Sequence, residues 1–286
     1  MKTNFAINKR LLTVMVCVSA FFAANAQTVK LVQKWDTGPA LKVPESVIYD
    51  PQTKSIYVAN INGKPDEKDG NGFIVKLSTS GKVETLEWAK GLDAPKGMGI
   101  FGGKLYVTDI TRIAVIDIAS AKVEKYIDVP GSVFLNDITI DKKGKVFFTD
   151  SSDKKIYTLN GDKAELWLND PTLQKPNGLH AEDNVLKVID MGGGDFYNIS
   201  YTDKKLTSIA KGIPSGDGIV EIGKGEYLIS NWNGEINYVK DGKVEKLLDT
   251  KEQKVSAADI WYIPSEKLLL IPTFFTNSVV AYSVVK

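Results

Sequence analysis

The sequence predicts an all-β chain folded as a six-bladed β-propeller of four-stranded antiparallel blades, closed by the N-terminal strand completing the last blade. Three observations predict it. One strand pattern recurs six times, its spacing is nearly constant, and the sixth copy lacks a strand that the other end of the chain can supply.

Each copy opens with a residue that is polar in five of the six, continues as an alternating apolar stretch, turns, and returns as a second apolar strand. Glu45-Ser46-Val47-Ile48-Tyr49 leads to Ser55–Asn60, and Lys96-Gly97-Met98-Gly99-Ile100 to Lys104–Asp109. Asn136-Asp137-Ile138-Thr139-Ile140 leads to Lys145–Asp150, and Asn177-Gly178-Leu179 to Leu186–Asp190. Asp217-Gly218-Ile219-Val220 leads to Tyr227–Asn231, and Ala258-Asp259-Ile260-Trp261-Tyr262 to Leu268–Pro272. The openings fall at 45, 96, 136, 177, 217 and 258, with steps of 51, 40, 41, 40 and 41. The long step contains an insertion, Ile61 to Gly72.

Two further strands follow each of the first five pairs, such as Arg112–Ala119 and Lys122–Val129 in the second copy. Alternation, β-branched and aromatic residues, and turns such as Asn160-Gly161-Asp162 favour strands over helices. About 40 residues with four strands is a propeller blade. The sixth copy ends after its third strand, Ser278–Val285, and Val29–Trp35 resembles the fourth strands of other copies. Closing the ring in this way removes the sheet edges that invite aggregation. A β-sandwich or another solenoid accounts for neither the count nor the incomplete last copy.

Residues 1–26 read as a signal peptide and 27–286 as the propeller domain. Lys2, Lys9 and Arg10 precede an apolar run from Leu11 to Ala24, and Ala24-Asn25-Ala26 offers a small-x-small cleavage site. A periplasmic or secreted location is expected, with no membrane attachment after cleavage. Cys17 is the only cysteine, and Met15-Val16 before it lacks the small residues of a lipobox. The mature chain would therefore hold no internal disulfide and depend on its core. It would carry 33 basic and 35 acidic residues, a net of −2, and the basic ones are scattered. That pattern excludes nucleic acid as the expected partner and leaves a small-molecule substrate.

In a propeller the first strand of each blade lines the central channel, so the six openings converge at one mouth. They are Glu45, Lys96, Asn136, Asn177, Asp217 and Ala258. The second strands return to that mouth at Asn60, Asp109, Asp150, Asp190 and Asn231, and the 61–72 insertion should form a flap there. Glu45, Asn136, Asn177 and Asp217 offer only oxygen to a cation, and two carboxylates match a divalent ion such as Ca²⁺. Zn²⁺ or Mn²⁺ are alternatives, although zinc usually takes His or Cys, and the chain has one His. Asn or Asp before Gly also starts strands and caps turns without any ligand, a reading that suits Asp109, Asp150 and Asp190 as well.

These residues resemble the SMP-30/gluconolactonase/LRE-like family of six-bladed, NHL-like propellers, which includes metal-dependent sugar lactonases. Pro44-Glu45-Ser46-Val47 looks like the family's opening segment, whose Glu binds the metal. Asn136-Asp137 matches its third-blade pair, whose Asn faces substrate. Pro176-Asn177-Gly178-Leu179 and Gly216-Asp217-Gly218-Ile219 match its Asn-Gly and Asp-Gly segments. The resemblance implies one divalent ion held by Glu45, Asn177 and Asp217, with Asp217 as the general base and Asn136 facing substrate. Glu45 is a second candidate base. Lys96, which matches no family residue, is placed by its position at the mouth to pair with a carboxylate or meet an anionic substrate. It implies hydrolysis of a lactone or similar ester. Phe134 departs from the family, whose lactonases often carry Arg at that place. The alternative is a non-catalytic exported propeller that binds a glycan, peptide or protein. A Ser-His-Asp hydrolase would have to use His180, which lies three residues along the inner strand from Asn177.

Overall fold

The computed structural model describes residues 1–2 and 29–286, and the signal-peptide expectation lies outside them. Six four-stranded antiparallel sheets form the ring. Blade I holds β2 (Pro44–Asp50), β3 (Ser55–Asn60), β4 (Gly72–Ser78) and β5 (Val83–Leu92). Blade II holds β6 (Pro95–Phe101), β7 (Lys104–Asp109), β8 (Arg112–Asp117) and β9 (Lys122–Asp128). Blade III runs from β10 (Leu135–Ile140) through β11 (Val146–Asp150) and β12 (Lys155–Asn160) to β13 (Lys163–Asn169). Blade IV runs from β14 (Pro176–Ala181) through β15 (Val185–Asp190) and β16 (Asp195–Ser200) to β17 (Leu206–Ala210). Blade V comprises β18 (Gly216–Gly223), β19 (Glu226–Asn231), β20 (Glu235–Lys240) and β21 (Lys243–Asp249). In blade VI, β22 (Trp261–Ile263), β23 (Leu268–Pro272) and β24 (Val279–Val285) are completed by β1 (Lys30–Asp36), antiparallel to β24. The predicted closure is therefore the observed one.

The core explains why the inner strands read as nearly continuous apolar runs. Among the described residues it consists of six wedges, one between each pair of neighbouring blades, and a seventh cluster of Ile61, Ala94, Ile110, Ala258 and Phe274. Along β3, Ile56 and Val58 face blade VI, whereas Tyr57 and Ala59 face blade II. Both faces of the strand are thus buried, as alternation requires when a sheet is covered on both sides. The outermost strands keep polar residues on their exposed face, as in β9 and β21.

A break in the ladder positions the site. The first and second strands of five blades lose register at the opening residues: between Pro44 and Ser46, Pro95 and Met98, Leu135 and Ile138, Pro176 and Leu179, and Gly216 and Ile219. Such irregularities free backbone groups and re-aim side chains. Hydroxyls on the second strands take over part of the lost ladder. Thr149 Oγ1 donates to Asn177 O (3.1 Å) and accepts from Asp137 N (3.0 Å). Ser230 Oγ accepts from Gly218 N (2.8 Å) and donates to Ala258 O (2.7 Å), and Thr108 Oγ1 donates to Asn136 O. Each hydroxyl so ties one blade to the next at the level of the opening residues.

The polar ends of the second strands have a different task. Asp109 accepts from the backbone of Asp93 and Ala94, Asp150 from Val133 and Phe134, and Asp190 from Gln174 and Lys175. Asn60 accepts from Lys42 N. Each fixes the loop that enters its own blade's inner strand, which is the structural role the turn reading assigns to them. Among the described residues, no helix is long and apolar enough to cross a membrane.

Candidate functional site

Five inner strands bring Glu45, Lys96, Asn136, Asn177 and Asp217 to one end of the channel, all of them buried. Asn177 Nδ2 donates to Asp217 Oδ1 (2.8 Å), whereas Asn177 Oδ1 and Glu45 Oε2 are buried with no hydrogen-bond partner among the described residues. Asn136 Nδ2 donates to Ser151 Oγ (3.2 Å), so its amide is held by blade III itself.

Two residues, Asp137 and Asp259, join the site without having been singled out from sequence. They occupy the position after the opening residue, where the other blades carry Ser46, Gly97, Gly178 and Gly218. Asp137 accepts from Leu179 N (2.5 Å) and Ile138 N (2.6 Å), and Asp259 accepts from Ser46 Oγ (2.7 Å). Gly178 and Gly218 let the inner strands approach closely here. A Cβ on Gly178 would lie 1.8 Å from Asp217 O, and one on Gly218 would lie 2.4 Å from Asp259 Oδ1. The signal was present in the pattern of one position, small in four blades and acidic in two.

Four carboxylates therefore crowd one channel, with Lys96 near Glu45 and Lys175 near Asp217 as the cations that act on them. Burial raises the Glu45 carboxyl well above the ordinary range, the Asp217 and Asp259 charges raise it further, and Lys96 opposes them. Burial raises Asp217 and Asp137 in the same sense, with Asp259 adding to both. Asp259 itself is pushed up to about 7 by burial, against the Ser46 hydrogen bond. Burial also draws Lys96 down to about 8, the Glu45 and Asp109 charges resisting. Uncompensated negative charge and orphaned oxygens are costly inside a protein. A hard divalent cation removes both costs at once, and the all-oxygen set of Glu45, Asn177 and Asp217 suits it.

The flap closes this mouth. Lys96 Nζ donates to Pro65 O (2.8 Å) and Ala94 O (3.0 Å), and it lies 4.4 Å from the centre of the Phe134 ring. Phe134 thus lies against the Lys96 ammonium. Trp232 meets Phe274 edge-on at 5.6 Å, and Phe275 at 5.9 Å, beside the same mouth. Val43 and Ser215, each two residues before a carboxylate, hold φ of 51° and 58°. For β-branched Val43 this is an outlier of the kind that clusters at functional sites.

A cavity of about 830 Å³ opens at the other end of the channel. Asp137 and Asp259 reach its floor, and His180, Glu221, Trp261 and Tyr262 line its wall. The cavity thus reaches Asp137 and Asp259 from one side, whereas Glu45 and Asp217 belong to the flap-covered ring on the other.

A closed six-bladed ring with a polar channel defines the class of protein, and known structures share it. A gluconolactonase from Xanthomonas campestris superposes with a TM-score of 0.69 at 15% identity, covering 87% of this chain and 88% of that one. A streptogramin B lyase gives 0.64 at 14%, covering 90% and 98%. The nidogen/laminin complex gives 0.64 at 18%, covering 77% and 84%. No family model and no curated protein matches the sequence. At such identities the likeness establishes the propeller fold alone.

Proposed function

We propose that the chain is an exported, periplasmic or secreted, divalent-metal-dependent hydrolase that opens a lactone or similar ester at the flap-covered mouth. The observation that carries this reading is the pair of buried, unpartnered oxygens, Glu45 Oε2 and Asn177 Oδ1, beside the raised carboxyl of Asp217. The likeness to a gluconolactonase supports it. Glu45, Asn177 and Asp217 would hold one ion, Ca²⁺ in preference to Zn²⁺ or Mn²⁺ because every donor is oxygen. Such an ion supplies carbonyl polarisation and acidifies bound water.

The chain's own residues supply the rest. Asp217 or Glu45 accepts a proton from the attacking water, burial having raised both carboxyls above the ordinary range and so made their carboxylates more basic. Asn136 orients the substrate through its amide, and Lys96 meets a carbonyl or carboxylate oxygen once it leaves Pro65. Closure of the 61–72 flap over Lys96 excludes bulk water from the reacting ester.

The test is hydrolysis of a panel of five- and six-membered lactones by protein stripped with chelator and reloaded with Ca²⁺, Mn²⁺ or Zn²⁺. Activity that returns with one ion and falls about 100-fold or more in Asp217→Asn supports the reading. The second reading, a non-catalytic propeller binding a glycan, peptide or protein, is favoured by the Lys96–Pro65 seal. It becomes the better account if no lactone or ester turns over with any ion.

A further inference from the structure

The opposite mouth carries chemistry that the proposed hydrolase does not use. His180 is the chain's only histidine. It sits near the end of β14, and Glu182 follows two residues on, so alternation sends both side chains to one side. Glu221 on β18 comes from the neighbouring blade. One ligand atom from each of the three lies within 4.8 Å of the others. His180 and Glu221 line the cavity wall, and the imidazole makes no hydrogen bond among the described residues, although Ala181 N beside it pairs with Thr139 Oγ1. Surroundings hold the other members in place. Tyr227 donates its hydroxyl to Glu182 Oε1 (2.6 Å), Lys187 Nζ stands 3.5 Å from Glu182 Oε2, and Gly225 N donates to Glu221 Oε1 (3.2 Å).

From this geometry we infer that His180, Glu182 and Glu221 form a second divalent-cation site, for an ion of the Zn²⁺ class, with its open positions facing the 830 Å³ cavity. One imidazole and two carboxylates are a borderline donor set that suits zinc and its neighbours better than Ca²⁺. Three protein ligands leave room for water or a guest molecule, as in zinc sites that act on substrates. The Tyr227 hydrogen bond orients Glu182 as an outer-shell partner does in known metal sites. Burial lowers the pKa of His180, which keeps the imidazole neutral with a lone pair to give. The inference is independent of the flap-covered mouth, whose donors are all oxygen.

A single histidine gives a direct readout. Chelator-stripped protein is titrated with Zn²⁺, and separately with Ca²⁺, while the imidazole C–H resonances of His180 are followed by NMR. Zn²⁺ should shift or broaden them with saturation at one equivalent per site, Ca²⁺ should leave them unmoved, and Glu182→Gln or Glu221→Gln should weaken the Zn²⁺ response about tenfold or more. The response should persist in Glu45→Gln, which separates this site from the other mouth. Resonances of the wild-type protein that ignore Zn²⁺ overturn the inference whatever the variants do. A Zn²⁺ response unchanged in both Glu variants also overturns it, because the imidazole would then bind alone.

Discussion

Asn177 Nδ2 donates to Asp217 Oδ1 across 2.8 Å, which joins blades IV and V at the channel and turns Asn177 Oδ1 inward without a partner. The pair depends on how closely β14 and β18 approach, and that approach depends on Gly178.

Gly178→Ala is therefore expected to be severe. Its Cβ would stand 1.8 Å from Asp217 O, an overlap that only backbone movement can relieve. Overpacking of this kind costs roughly 3 kcal/mol or more. For a domain of this size that lowers Tm by about 6–12 °C. Gly161→Ala, at a turn with nothing within 4 Å but a φ of 58°, serves as the mild comparison. Differential scanning calorimetry of both variants checks the ordering, which reverses if the close approach of the blades is unimportant.

The flap rests on Lys96. Removing the ammonium in Lys96→Met deletes the hydrogen bonds to Pro65 O and Ala94 O while keeping the chain length of the stem. Amide hydrogen exchange across 61–72 should then accelerate several-fold, with little change in β8 or β12. Unchanged exchange in the flap would show that its own contacts, such as Gly70 N to Asp93 Oδ1, hold it without Lys96.

Metal-free protein should lose stability as pH rises from about 4 to about 7. An unfolded Asp ionises near 3.9. In the fold, Asp259 keeps its proton up to about 7, and Glu45, Asp137 and Asp217 are raised in the same direction. Across that window the unfolded state binds fewer protons, so stability is fullest below it and is lost as pH climbs through it. Glu226 acts in the opposite sense. Lys240 and Lys286 hold it down at about 2, so its contribution is lost only as pH falls below the unfolded carboxylate range. Tm measured against pH in the presence of chelator should decline toward neutrality, and Asp259→Asn should flatten the decline. An equally steep decline in that variant would show that Asp259 is ionised throughout.

The ring was legible because propeller packing writes itself into sequence. Strands buried on both faces, as β3 is, give apolar runs at a constant period, and β1 lacked a partner anywhere except β24. The ring of Glu45, Lys96, Asn136, Asn177 and Asp217 was legible for the same reason, since aligned positions of aligned strands must converge. Asp137 and Asp259 were not. Asp137 owes its orientation to the irregular opening of β10, where regular alternation would turn the residue after Asn136 away from the channel, and Asp259 lies ahead of β22 in an isolated bridge to Ser46. The hydroxyls of Thr108, Thr149 and Ser230, each one residue before a terminal Asp or Asn, mark such irregularities. Their meaning depends on a neighbouring blade that sequence does not display. The cavity at the opposite mouth likewise arises where all six blades meet, and its His180 cluster where blades IV and V meet.

The central claim is that Glu45, Asn177 and Asp217 hold a divalent cation, and the most direct measurement is the thermal unfolding of chelator-stripped protein titrated with Ca²⁺. A ligand that binds the native state alone adds about 2.7 kcal/mol of stability at 100 times its Kd. A saturable Ca²⁺-dependent rise in Tm of roughly 5–10 °C is therefore expected in the wild type, absent from both Glu45→Gln and Asp217→Asn. No rise in the wild type, or an equal rise in all three proteins, would contradict the claim.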